Sequence, residues 1–125
     1  MRHSVFGRQL NRDTGQRQAL LKGLAGAIIR SEAIETTEAK GKAAVPLIEN
    51  LITKAKRGSL TDIRLIGEIV TDPGLINKLV HQIAPRFKDR SGGYIRLIKL
   101  GNRQGDNAPM VRMELVAPKI APVKK

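Results

Sequence analysis

Residues 37–58 read TEAKGKAAVPLIENLITKAKRG. A hydroxyl residue opens the stretch at Thr37 and a glycine closes it at Gly58, the residue types that cap a helix at its start and end. Between them Ala44, Leu47, Ile48, Leu51, Ile52 and Ala55 recur at helical spacing and form one apolar face. The stretch predicts a one-faced helix, which needs a second layer to cover it. Pro46 lies inside. A proline there has no N–H and crowds the carbonyl of residue 42, so a kink or a break is expected.

Toward the N-terminus, Thr14 is the expected cap of a first helix running to about Ser31. Leu20, Leu21, Leu24, Ala25, Ile28 and Ile29 form its stripe, and Arg17, Lys22 and Arg30 fall off it. Gly23 and Gly26 each weaken that helix by about 1 kcal/mol relative to alanine, and suit close approach of another backbone. Ala33 to Thr37 is short and partly β-branched, and predicts a strand. Residues 1–13 carry Arg2, His3, Arg8, Gln9, Asn11 and Arg12 without periodicity and read as an extended basic arm.

Toward the C-terminus, a third helix is expected over about Leu60 to Val70, burying Ile63, Ile66 and Val70. Asp72-Pro73 is a cap followed by proline at the first helical position. The fourth helix it opens buries Leu75, Ile76, Leu79, Val80 and Ile83, and is expected to stop before Pro85. After Gly92-Gly93, Tyr94 to Leu100 and Met110 to Val116 predict two strands joined by a long loop, Gly101 to Pro109. In the second strand Val111, Met113 and Leu115 alternate with Arg112 and Glu114. Residues 117–125 read as a flexible basic tail. One helix, a strand, three helices and a hairpin predict an α+β, two-layer domain over 14–116, with a small sheet packed against helices.

The 125 residues suit a single domain, and 41 % apolar content is enough for a core. There is no cysteine, which excludes disulfides, thiolate chemistry and cysteine-based zinc sites. The longest apolar runs, such as Ala27 to Ile29, are far too short to cross a bilayer. No signal core is recognised at the N-terminus, and a cytoplasmic location is the default expectation. The net charge is +12, which favours a polyanionic partner through counterion release. Its distribution is uneven: residues 1–30 hold six Lys/Arg against one acid, 61–85 two against three, and 86–125 ten against three. This segregation predicts two binding segments flanking a nearly neutral scaffold, where a solubilising surface would be basic throughout.

No catalytic or metal constellation stands out. His3 and His81 are not spaced as a metal pair; His81 reads as a solvated surface residue, and His3 either hydrogen-bonds RNA or is simply exposed. Glu32 and Glu35 have no partner nucleophile and read as solvated or salt-bridged. The glycines form neither a dinucleotide fingerprint nor a phosphate loop. No cofactor, metal or small-molecule substrate is expected. With one tyrosine and two phenylalanines, the chain is too poor in rings for a base-stacking platform. Many cations with few rings point to phosphates and to the shape of folded RNA. Tyr94 has two readings, stacking on a base or packing in the core. A basic architectural DNA- or RNA-binding protein is the alternative class, although no recognition helix or dimerisation heptad supports DNA.

Motifs at both ends carry a resemblance. Met1-Arg2-His3 with Gly7-Arg8-Gln9-Leu10-Asn11-Arg12, then Thr36-Thr37 with Lys40 and Lys42, Leu51-Ile52-Thr53, Pro85-Arg86-Phe87, Gly92-Gly93-Tyr94 with Arg96, and Gly105-Asp106-Asn107-Ala108-Pro109-Met110 follow in order over residues 1–116. In this the chain resembles the bacterial large-subunit ribosomal protein L-seventeen family. The resemblance implies a structural constituent of the large subunit, bound to its large ribosomal RNA beside neighbouring ribosomal proteins. It also implies a two-layer fold with a small mixed sheet. RNA contacts carried over to matching positions are Arg2, His3, Arg8, Asn11, Arg12, Arg17, Lys40, Lys42, Arg86, Arg90, Arg96 and Arg103.

Overall fold

The computed structural model describes residues 14–116; the arm, 1–13, and the tail, 117–125, lie outside the described residues. Helix α1 spans Thr14–Ser31, strand β1 Ala33–Thr37, helix α2 Glu38–Arg57, helix α3 Leu60–Gly67 and helix α4 Pro73–Lys78. The chain then continues through a π-helical turn, Leu79–Ile83, and a 3-10 turn, Ala84–Phe87, into strands β2, Ile95–Asn102, and β3, Pro109–Leu115. The fold is α+β, with helices on one face of a three-stranded sheet.

Local chemistry sets most of the boundaries. Thr37 caps α2 by accepting the Lys40 N–H, and Gly58 terminates it in the left-handed conformation, φ 67°. Ser59 caps α3, its hydroxyl accepting the Asp62 N–H at 3.1 Å and donating back to the Asp62 carboxylate at 2.7 Å. Asp72 accepts the Gly74 N–H at 2.8 Å, with Pro73 at the first position of α4, as its sequence predicts.

A break at Pro46 and a stop before Pro85 are both corrected. Helix α2 is not broken at Pro46 but runs unbroken for 20 residues. Pro46 is exposed, so its ring points away from the core, while Ala44, Ile48, Leu51 and Ile52 hold the helix down on both sides of it. Nor does the helical path stop before Pro85. The Ala84 N–H reaches back five residues to the Leu79 carbonyl. This widened turn makes room for the pyrrolidine ring, and Pro85 falls near the start of the 3-10 turn, where its missing N–H removes no helical bond. Helix α3 is shorter than expected, yet Val70 beyond it is still buried.

The sheet order is β1-β3-β2. Both pairings are antiparallel, so the mixed sheet implied by the resemblance is corrected to a wholly antiparallel one. The last of the described strands, β3, lies in the middle. Its Val111, Met113 and Leu115 face the helices and are buried, while Arg112 and Glu114 face away. The core joins Met113 and Leu115 to Ile28, Ile48, Leu51, Ile52, Ile66, Leu79 and Ile83. Helix α2 crosses the sheet closely: a Cβ on Gly41 would stand 3.0 Å from a Val111 methyl, so glycine is what lets that first turn sit down.

Candidate nucleic-acid interface

The strand register sorts the cations to two ends of the domain. Thr37 pairs with Met110, Gly101 with Met110 and Asn102 with Pro109. The first turns of α2 and the β2–β3 loop are therefore brought together at one end of the sheet. Lys40, Lys42, Arg103 and, by its place in β2, Lys99 belong to this end. At the other, Ala33 pairs with Glu114 and Ile95 with Leu115, beside the segment 86–94. Arg90 and Arg96 belong there. No spacing along the chain foretells this sorting, because it depends on which strands pair.

At the loop end, the Lys42 side chain is 49 % exposed and its ammonium lies 3.5 Å from Glu38 one helical turn back. Such an exposed pair holds the lysine only weakly and leaves it available to a stronger anion. Arg103 pairs side-on with Asp106, at 2.6 Å from Nη2 and 3.1 Å from Nε, and is 48 % exposed. Hydrogen bonds from Arg103 and from the Ala108 N–H hold the Asp106 carboxyl down at about 2. Three residues in this segment adopt positive φ, Gly101 (95°), Gly105 (100°) and Asn107 (59°), and the Arg103 N–H closes the loop on the Ala108 carbonyl at 2.8 Å.

On the uncovered sheet face, Arg96 lies 3.4 Å and Arg112 3.5 Å from the Glu114 carboxylate. Ile98 and the bulge residue Leu100 are exposed beside them. Arg17 stands in the first turns of α1, half-buried and engaged by neighbours. Arg2, His3, Arg8, Asn11 and Arg12 lie outside the described residues. Arg112 and Lys99 are exposed cations that the sequence motifs did not single out; the alternation of β3 already sets the face of Arg112, and the pairing register identifies that of Lys99.

Arg86 departs from its expected place. Its side chain is 3 % exposed. Both its terminal nitrogens meet the Glu32 carboxylate, at 2.6 and 3.0 Å, and its Nε donates to the Gln82 carbonyl at 3.1 Å. Glu32 turns α1 into β1 at φ 67°, and Lys78 approaches it at 3.4 Å while donating to the Arg30 carbonyl at 2.7 Å. The Arg86 hydrogen bonds hold the Glu32 carboxyl below its usual range against the opposing effect of burial. Arg86 thus ties the end of α1 to the turn after α4, with its donors turned inward. Glu32 is salt-bridged, as its position suggested.

Tyr94 resolves to the core reading. It is buried, its ring meets Phe87 edge-on with centroids 5.0 Å apart, and its hydroxyl donates to the Arg90 carbonyl at 3.3 Å. Lys56 donates to that hydroxyl at 3.1 Å and also to the Arg90 carbonyl. Lys56 and Tyr94 so pin the backbone of residue 90, whose own side chain remains exposed. Among the described residues, no group of three or more His, Cys, Asp or Glu side chains is placed to hold a metal ion.

Residues 20–116 match the family model described as Ribosomal protein L17. The chain is 47 % identical over 116 residues to a protein of Thermodesulfovibrio yellowstonii named large ribosomal subunit protein bL17, covering 93 % of this chain and 87 % of that one. A protein of the same name from Gemmatimonas aurantiaca is 48 % identical over 116 residues, covering 93 % of this chain and 98 % of that one.

Proposed function

Because the chain belongs to the ribosomal protein L17 family, we propose that it is a structural constituent of the large ribosomal subunit that binds and stabilises folded large-subunit rRNA through its basic termini and loops. It works in the cytoplasm, within the ribosome, beside neighbouring ribosomal proteins, and without catalysis or cofactor. The observation that carries the reading is the cationic end of the domain, where the first turns of α2, the end of β2 and a closed hairpin loop bring Lys40, Lys42, Lys99 and Arg103 to one side. No helix among the described residues is long and apolar enough to cross a membrane.

The proposed phosphate contacts are Arg2, His3, Arg8, Asn11 and Arg12 of the arm, with Arg17, Lys40, Lys42, Arg90, Arg96 and Arg103 of the domain. Arg86 is left out, since its guanidinium is spent on Glu32. Phosphates dominate because the chain offers 23 Lys/Arg and only three rings, and the largest of those rings, Tyr94, is buried. Affinity for large-subunit rRNA fragments should therefore fall by roughly 0.7–0.9 log units per log unit of salt for each phosphate neutralised. Chains lacking residues 2–12 should enter large subunits poorly when lysates are sedimented. A salt-independent affinity, or tighter binding to duplex DNA than to rRNA, would overturn the reading.

A further inference from the structure

The loop between β2 and β3 is built around one acid. Asp106 Oδ1 accepts the Ala108 N–H at 3.2 Å, which fixes the carboxylate to the backbone, and the same carboxylate takes the side-on edge of Arg103. Asn102 donates to Asn107 at 3.2 Å across the loop. The pairing with Asp106 consumes the Nε hydrogen and one Nη2 hydrogen of Arg103. Both Nη1 hydrogens and the second on Nη2 make no hydrogen bond among the described residues. These donors form the end-on edge of the guanidinium, the edge that meets two oxygens of a phosphate. An arginine already held in one geometry loses less freedom on binding than a free one.

We propose that Asp106 is a positioning residue for RNA binding: it holds the Arg103 guanidinium by one edge so that the other is presented outward to an RNA phosphate. This deepens the reading of Arg103 as an RNA contact and rests on it. The proposal makes an uncommon prediction about sign. On charge alone, removing an acid from a protein of net charge +12 should tighten RNA binding. If Asp106 acts by positioning, removing it should weaken binding instead.

The experiment uses the full chain and a large-subunit rRNA fragment, with affinities measured for wild type, Asp106→Asn, Arg103→Ala, the double variant, and Glu68→Gln as an exposed-acid control. Asp106→Asn should bind about three- to tenfold more weakly. Glu68→Gln should bind as wild type or slightly tighter. In the Arg103→Ala background the Asp106→Asn change should cost less than about twofold, because the group it positions is gone. Exchange of the Ala108 amide reports whether the loop stays closed in each variant. The proposal is overturned if Asp106→Asn binds as tightly as wild type, or if its cost is the same with Arg103 removed, which would mark Asp106 as a loop strut only. Arg103→Ala binding like wild type would remove the contact itself, and the underlying reading of Arg103 with it.

Discussion

Arg86 separates holding the fold from holding RNA, and Arg86→Met tests the separation by keeping the stem and deleting the guanidinium. The change removes two charge-assisted hydrogen bonds to Glu32, of 2.6 and 3.0 Å, together with the Nε bond to the Gln82 carbonyl at 3.1 Å, and strands a carboxylate whose side chain is 17 % exposed. Such bonds contribute about 1.5–3 kcal/mol each, and breaking a buried pair costs more than never having one. Lys78 remains 3.4 Å away and water reaches part of Glu32, so the loss is smaller than the full sum, about 2–4 kcal/mol. For a domain near one hundred residues that is a fall in Tm of about 10–25 °C. Glu32→Gln combined with Arg86→Met should recover part of it, because the stranded charge is gone. Thermal melts by circular dichroism read the stability. Binding to rRNA, measured cold enough for every variant to stay folded, should change less than about twofold, with an unchanged salt slope. The reasoning fails if Tm stays within about 2 °C of wild type while the salt slope drops by the roughly 0.7–0.9 expected of one lost phosphate contact.

Leu79→Ala should destabilise the domain by about 2–5 kcal/mol, since Leu79 is fully buried against the core of α1, α2 and β3, whereas Leu60→Ala at a 64 % exposed position should fall within about 0.5 kcal/mol of wild type; equal melts for the two would refute the packing described. Glu32 has its carboxyl held below the usual 4.5, so its contribution is fully present above that value and is lost as the pH falls below it, through the lowered value of the folded protein. Wild type and Glu32→Gln should accordingly differ in Tm near neutral pH and converge in acid, and a gap that persists unchanged to about pH 3 would count against the ion pair.

What could be read from the residue order follows from the range of each interaction. The span of α1, the Thr37 cap and Gly58 end of α2, the Asp72-Pro73 start of α4 and the alternation of β3 all depend on neighbours within a turn or two. No break occurs at Pro46 and no stop before Pro85, because local sterics are only half of the matter. Pro46 is tolerated because core contacts on either side hold α2 together, and Pro85 because a five-residue backbone bond at Ala84 widens the turn before it. The site was less legible. Arg86 and Glu32 are 54 positions apart, and a basic residue within a family motif reads the same whether it faces a phosphate or a buried carboxylate. Tyr94 has two readings for a like reason, its partners being brought to it by packing, Lys56 from α2 and Phe87 from the 3-10 turn. The gathering of Lys40, Lys42 and Arg103 required the pairing of β1 with β3, which no local pattern encodes.

That pairing also bears on how the protein is made. Among the described residues strand β1 has its one sheet partner in β3, more than 70 residues further along, so at a synthesis rate of about 5–20 residues per second it waits several seconds for that partner to be translated. Until then α1 and α2 can form and stack, but the edge of β1 stays open and the inward faces of both helices lack the residues that cover them. Release of the final strand is thus the event that closes the whole domain. A chain cut short before Pro109 would lose both halves of the sheet at once rather than fray from one end, and the cell would meet it as an unfolded polypeptide instead of a slightly shortened protein.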